Sequence, residues 1–327
     1  MRKRVTLLLI LTCAICHAQL SQKTINAMTW GAKTKITFQV VDYDGRSVSN
    51  ANIRLYWTYD YTNKTKKCSK TTSKDGLVVL EEKSRGTFTY FVEKDGYYKS
   101  QGKYSFDVRG ETRVKDGRWE PWNPTVEIVL KEKRNPIPMY STKEGGFFIQ
   151  RNELVGFDFE KGELVSPHGN GEHPDIFLLF SSNAPLKFTP ARTNSLEIST
   201  INDDEGFIKR TCDLQSEFKS SYDCPETGYD KSVRFSFAYA HNNVDNQRLP
   251  GAKYLIFRTR ARHDEKGNLL ASRYGKIYDI SFDEALNNPG KGFISLNYKF
   301  NPVENDRNIE WNGENITTGK TKRSFQP

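Results

Sequence analysis

The sequence predicts an all-β chain, an N-terminal Ig-like antiparallel sandwich followed by a second β-rich domain. Three observations predict it. Apolar and polar residues alternate in short runs, which is the period of a half-buried strand. Asp-Gly turns separate several of these runs, because glycine accepts the positive φ that tight turns demand. No stretch of the first half repeats at the helical period, which leaves packed sheets as the way to bury its apolar faces.

The chain opens with Met1-Arg2-Lys3-Arg4, continues as an apolar run from Val5 to Cys16, and places Ala18 before Gln19. Basic residues, an apolar run and a small residue in that order predict a cleaved secretory signal over residues 1–18. The run holds 12 residues. A membrane-spanning helix needs about 20, and no later stretch approaches that length. The expectation is therefore a secreted or periplasmic protein with no transmembrane segment. Residues 19–31 are polar and read as a linker.

Strand signals begin at Ile36, Phe38 and Val40, which alternate with polar residues up to the turn at Asp44-Gly45. Ile53, Leu55 and Trp57 alternate next, so Trp57 shares the core-facing side while Tyr56 points the other way. Thr72 to Gly76 makes a turn into Leu77-Val78-Val79-Leu80. Phe88, Tyr90 and Val92 form another strand, ended by Lys94-Asp95-Gly96. Val126, Ile128 and Leu130 close the set.

These residues also carry a resemblance. Ile36 to Leu55 (ITFQVVDYDGRSVSNANIRL) resembles the opening of a carboxypeptidase regulatory-like domain, with its D-x-D-G-x-x-V-x-x-A turn between two strands. Thr71 to Gly76 and Gly86 to Tyr97 resemble that family's later turn and strand. The resemblance covers about residues 34–131 and, in its order and spacing, is more specific than any one motif. It implies a prealbumin-like sandwich of seven strands over residues 32–134, a domain that sometimes contacts carbohydrate or serves as a spacer. The basic insert from Tyr59 to Lys70 and the loop from Gly110 to Pro124 depart from the pattern.

Asn135-Pro136-Ile137-Pro138 follows. Proline donates no ladder hydrogen bond, so residues 135–140 are expected as a junction. Beyond it, Phe235-Phe237-Tyr239, Leu255-Phe257, Ile277 with Ile280, and Ile294-Leu296-Tyr298-Phe300 predict a β-rich domain over residues 141–312. One short helix is expected around Asp283 to Leu286, capped by Ser281 or Asp283. Residues 313–327 read as a polar, frayed tail. This half resembles no characterised family.

The net charge is +9, and +6 once Arg2, Lys3 and Arg4 leave with the signal. The excess lies in the first half, where residues 32–140 hold 21 basic and 14 acidic side chains against 24 and 26 in residues 141–327. Its densest stretch, Lys64, Lys66, Lys67, Lys70 and Lys74, reads first as a solvated hairpin tip and second as a contact for an acidic polymer. No nucleic-acid recognition motif is present, and export removes that partner. The mean hydropathy is −0.70, yet aromatic residues make up 13% of the chain, enough for ordinary cores. Three cysteines remain after signal removal. Cys212 and Cys224 bracket a polar loop and are the natural disulfide, contributing about 3 kcal/mol in the chain-entropy model. Cys68 is left over, either free or joined to another chain.

Enzyme signatures are missing. A zinc carboxypeptidase needs H-x-x-E, but the third residues after His168, His173, His241 and His263 are Gly171, Ile176, Val244 and Lys266. Neither H-E-x-x-H nor G-x-S-x-G occurs. The best cluster for chemistry is the loop from Pro167 to Asp175, where His168, His173 and Asp175 are candidate metal ligands. Its bland reading is an exposed turn. Asp203, Asp204 and Glu205 read as a solvated or calcium-decorated loop. Trp119, Trp122 and Tyr56 are candidates for stacking on sugar rings, though for the two tryptophans packing over an open sandwich end is the favoured reading.

The reading that follows is an exported, non-catalytic binding or structural protein of the cell envelope, without cofactor, whose partner is a polysaccharide or another envelope protein. The alternatives are a hydrolase centred on His168, His173 and Asp175, and a partner subunit joined through Cys68 or a sheet edge.

Overall fold

The computed structural model describes residues 22–106, 114–142, 145–183, 192–240, 243–247, 253–285, 288 and 290–318. The expected signal over residues 1–18 lies outside the described residues. The chain divides into two units, Met1–Glu132 and Lys133–Pro327. Apart from one helix the described residues of both form strands and their connections, so the fold is all-β.

In the first unit, helix α1 (Gln22–Trp30) leads into β1 (Ala32–Asp42), β2 (Asn52–Thr58), β3 (Thr65–Thr71), β4 (Leu77–Ser84) and β5 (Thr87–Glu93). Then come β6 (Ser100–Ser105), the short β7 (Val114–Lys115) and β8 (Arg118–Trp119), and β9 (Thr125–Leu130). One sheet has β1 at its centre, antiparallel to β4 and parallel to β9, with the β7–β8 hairpin added beside Lys33. The other is the antiparallel order β3-β2-β5-β6. Ile36, Phe38, Val40 and Leu80 of the first meet Ile53, Leu55, Trp57, Phe88, Tyr90 and Val92 of the second in one core. Phe38 and Tyr90 touch edge to face across it, centroids 5.8 Å apart. The alternation read from the sequence is thus the two-sheet packing itself.

The expected linker of residues 19–31 contains α1, which buries Thr24 and Ala27. Gly31 stops the helix. Its φ is 78° and its N–H bonds the Ala27 carbonyl at 2.8 Å, a left-handed cap that suits glycine. The lysine run also differs from expectation. Lys66, Lys67 and Lys70 lie along the edge strand β3, where charge blunts unwanted strand pairing, with Lys64 just before the strand and Lys74 in the turn after it.

The second unit comprises β10 (Ile137–Ser141), β11 (Phe147–Gln150), β12 (Leu154–Asp158), β13 (Glu163–Leu164), β14 (Ile176–Ser182) and β15 (Arg192–Ser199). It continues through β16 (Gly206–Thr211), β17 (Ser232–Ala240), β18 (Asn243–Gln247), β19 (Lys253–His263), β20 (Leu269–Glu284), β21 (Lys291–Phe300) and β22 (Trp311–Asn315). One sheet runs β16-β19-β20-β21-β10-β22 with β11 also on β21, and the other runs β13-β12-β14-β15-β17-β18. Their inner faces share one aromatic core, with Phe159 stacked on Phe257 at 4.5 Å and Phe237 against Phe282 at 5.3 Å.

Three expectations for this half are corrected. The 135–140 junction contains β10, and Pro138 sits where the β10–β22 register shifts, a place that needs no proline N–H. The 313–327 tail is paired at its start, since β22 runs to Asn315 and Ile316 N–H bonds Met139 O at 3.1 Å. No helix forms at Asp283, because β20 continues through Glu284 and pairs Asp283 with Phe293 of β21. The three-residue spacing of Ile277 and Ile280, both buried, reflects a register shift between Ile277 and Asp279.

A charged knot joins the two sheets of this unit. Arg260 sits at an irregularity of β19 with φ 54°. Its guanidinium grips both oxygens of Asp175 at 2.6 and 3.0 Å and Glu160 at 2.7 Å. Arg273 bonds the same Glu160 oxygen. Asp158 accepts backbone N–H groups from Glu160, Lys161, Glu172 and His173 at 2.9, 3.1, 2.9 and 3.1 Å. Burial opposes charge on both Arg260 and Asp175, raising the carboxyl pKa. The bonds from Asp175, with Glu160 and Asp158 behind, nevertheless hold Arg260 above the ordinary guanidinium value.

Lys299 is the opposite case. Its ammonium lies 3.5 Å from the Trp311 ring centroid and bonds the Ser141 hydroxyl, and burial pulls its pKa down to about 8.

Two outcomes follow from these buried charges. Arg260→Met leaves Asp175 buried without its partner, and urea unfolding should show a loss of about 3–5 kcal/mol; an unchanged midpoint would contradict the knot's role. For Lys299, the folded amine sheds its proton above pH about 8, while the unfolded one holds it to about 10.4. The unfolded chain then binds more protons, so this residue makes stability rise with pH across that window. Subtracting the stability of Lys299→Met from that of the wild type cancels opposing groups such as the buried Cys224 thiol. The difference should climb from about pH 8 to 10, and a flat difference refutes the assignment.

Candidate functional site

Burying Ile53, Leu55 and Trp57 forces Arg54, Tyr56 and Thr58 onto the outer face of the β3-β2-β5-β6 sheet. The register then sets their neighbours. Lys67 of β3 lies opposite Tyr56, Tyr56 opposite Thr89 of β5, and Thr89 opposite Lys103 of β6. One row across the sheet therefore reads Lys67–Tyr56–Thr89–Lys103. The adjoining row carries hydroxyls, with Thr58 opposite Thr65 and Thr87 opposite Ser105, whose side chains bond at 3.1 Å.

Tyr56, Thr58, Thr65, Thr87, Thr89 and Lys103 floor an open groove of about 380 Å³, to which α1 adds Met28 and the chain after β4 adds Arg85, while Lys67 stands beside it on the edge strand. That volume lies within the range of small-ligand sites, about 300–1,000 Å³. The Tyr56 ring is half-buried and braced edge to face by Phe91 at 5.6 Å, so its position is set before any ligand arrives. Arg85 donates to Asn63 Oδ1 at 2.6 Å and to the Met28 carbonyl, which holds its guanidinium at the groove's end. The α1 and β2–β3 turn segments also expose an aromatic pair, Trp30 with Tyr61, centroids 4.7 Å apart.

Of the three sugar-stacking candidates, only Tyr56 belongs to this groove. Trp119 is fully buried. Its indole N–H donates to the Ser84 carbonyl at 2.9 Å and its ring packs on Phe106 and on Gly86, where a Cβ would lie 2.7 Å from the ring. It is a core residue of the first unit, which corrects the binding assignment. Trp122 is half-buried, capped by the Arg118 guanidinium 5.4 Å from its ring, and does not line the groove.

The metal candidates do not converge. His168 and His173 are exposed, while the Asp175 side chain is wholly buried on Arg260. His168 Nε2 instead lies 3.3 Å from Glu153. Among the described residues no group of three His, Cys, Asp or Glu side chains could hold a metal ion. The loop's shape comes from Asp158 and Asp175, which pin its two ends. Asp203, Asp204 and Glu205 likewise turn to three different partners, Lys231, His263 and the Ala261 N–H, at 2.6, 2.6 and 2.7 Å.

The expected Cys212–Cys224 disulfide is corrected too. Both residues are buried thiols in a cluster with Ile208, Tyr254, Ile256 and Ile309. Hydrogen bonds hold the intervening loop instead, from Asp213 N–H to Lys219 O within it and from Cys224 N–H at its end to Arg307 O, each 2.8 Å. Burial pushes the Cys224 thiol far above its usual range. Cys68 packs its thiol against the core side of β3, and burial raises its pKa as well.

Sequence reasoning missed Thr58, Thr87, Thr89, Arg85 and Lys103. Period-two alternation would have placed Thr87, Thr89 and Phe91 beside Tyr56, but β6 has no apolar alternation to announce Lys103.

No family model matches the chain, and no curated protein matches it. Among solved structures, 3-chlorocatechol 1,2-dioxygenase from Rhodococcus opacus 1CP aligns at 11% identity over 31% of this chain and 60% of its own, with a TM-score of 0.24. Catechol 1,2-dioxygenase from Acinetobacter sp. ADP1 aligns at 13% identity over 31% and 53%, with a TM-score of 0.23. The chain thus spans less than two thirds of these proteins, and at these values the likeness bears on neither fold nor activity.

Because Trp119 is core, Trp119→Ala should destabilise the first unit by about 3–5 kcal/mol, seen as a lowered thermal midpoint. A variant of wild-type stability would return Trp119 to the surface.

Proposed function

We propose that the protein is an exported, non-catalytic binding protein, and that a glycan chain lies across the outer face of the β3-β2-β5-β6 sheet. One observation carries this reading. The face sets a braced tyrosine ring among threonine hydroxyls in a shallow groove, the pairing of apolar surface and fixed hydrogen-bonding groups that sugar rings require. Among the described residues the groove's lining contains no carboxylate or histidine, so it supports holding a glycan rather than cleaving one. Export rests on the basic and apolar pattern of residues 1–18. The kinship to regulatory-like domains is part of the same proposal, supported by seven longer strands with a small hairpin arising from the unmatched loop. The hydrolase alternative draws no support from the Pro167–Asp175 loop, whose aspartate is engaged by Arg260.

Affinity gel electrophoresis against soluble polysaccharides tests the reading. Wild-type protein should be retarded by at least one, and Tyr56→Ala should weaken that binding about tenfold, the effect of losing about 1.4 kcal/mol, with an unchanged thermal midpoint. Equal retardation of Tyr56→Ala removes the groove from the account.

A further inference from the structure

The groove's charge identifies what kind of glycan fits it. Resting on the reading above, we infer that the ligand is an acidic polysaccharide, one whose carboxylate or sulfate groups recur along the chain. The Lys67–Tyr56–Thr89–Lys103 row ends in a lysine on each side. Both lysines are exposed, and among the described residues neither has an ion-pair partner. They stand three strand spacings apart, about 14 Å, so one small anion cannot satisfy both and a chain can. Arg85 adds a third positive charge, and its recorded acceptors, the Met28 carbonyl and the Asn63 amide oxygen, are neutral.

Among the described residues, the carboxylate on the strands of the same outer face, Glu93, stands two rows from this one. It accepts from Asn52 at 3.3 Å and pairs with Arg54 at 3.4 Å, so its charge is answered where it stands. The sheet face along the groove is therefore a strip of positive charge, with Lys103 and Arg85 in the groove, Lys67 on the edge strand beside it, and hydroxyls and one ring between. Such a strip attracts polyanions and leaves neutral sugars with only stacking and hydrogen bonds. Since the charges are exposed, their contribution is screened by salt. The hydroxyl rows favour a glycan over a nucleic acid, whose bases need several stacking rings.

The test runs the full chain through gels containing polygalacturonate, alginate or chondroitin sulfate, beside carboxyl-reduced or desulfated counterparts and single-stranded DNA. Expected is retardation by at least one acidic polymer, at least about tenfold weaker for its neutral counterpart, and reduced by added salt. Lys67→Gln with Lys103→Gln should erase the acidic preference while Tyr56→Ala weakens both forms. Equal retardation by acidic and neutral forms overturns the charge assignment and leaves glycan binding standing. Absence of retardation by every polymer, acidic or neutral, overturns both. Single-stranded DNA binding as tight as that of the best polysaccharide overturns the ligand class.

Discussion

The period of two in β2 and β5 is the constraint on which the rest depends. Once Ile53, Leu55 and Trp57 of β2 and Phe88, Tyr90 and Val92 of β5 are committed to the core, the residues between them have one place to go. A slip of one residue would bury Arg54 and Tyr56 and expose two apolar rows, which the loss of hydrophobic contact forbids. Core and groove are thus two sides of one register. The outer face can vary in its side chains without disturbing the fold, which is why a sandwich of this kind carries binding surfaces well.

The second unit solves a different problem. Its sheets meet over an aromatic core that takes in Phe159 and Leu164 of the Asp158–Asp175 segment, but the rest of that segment is mostly polar and apolar burial alone does not hold it. Two carboxylates hold it instead, one capping backbone N–H groups at both ends and one gripped by Arg260 from the opposite sheet. A buried ion pair of this sort contributes little over an apolar pair of the same shape, yet losing one partner is costly. It therefore acts to specify one arrangement of the loop and of the two sheets in that unit. Of the residues between Pro167 and Asp175 that drew notice in the sequence, Asp175 serves this structural task, while the His168 and His173 side chains are exposed.

The strands with clean alternation were legible in the sequence. Ile36, Phe38, Val40, Ile128, Leu130, Phe235, Phe237, Ile294, Leu296, Tyr298 and Phe300 are buried where the period placed them, and Trp57 is core. What depended on distant partners was not legible. Trp119 lies in a proline-containing loop, and only the close approach of Gly86 makes room for it inside. Arg260 gives no local signal of its three acceptors. Helix α1 is too short to show a period, and its stop signal, Gly31, was the one cue. For the site, Tyr56 was found because alternation turned it outward, whereas Lys103 enters through pairing of a strand, Ser100–Ser105, that has no apolar pattern.

If the outer face of this sheet is where the ligand lies, backbone amides will report it directly. Isotope-labelled full-length protein titrated with an oligogalacturonate or alginate oligomer should show its largest amide shifts at Tyr56, Thr58, Thr87, Thr89 and Lys103, with the Pro167–Asp175 loop unmoved. Shifts concentrated in that loop or around Trp122, with β2 and β5 silent, would contradict the account.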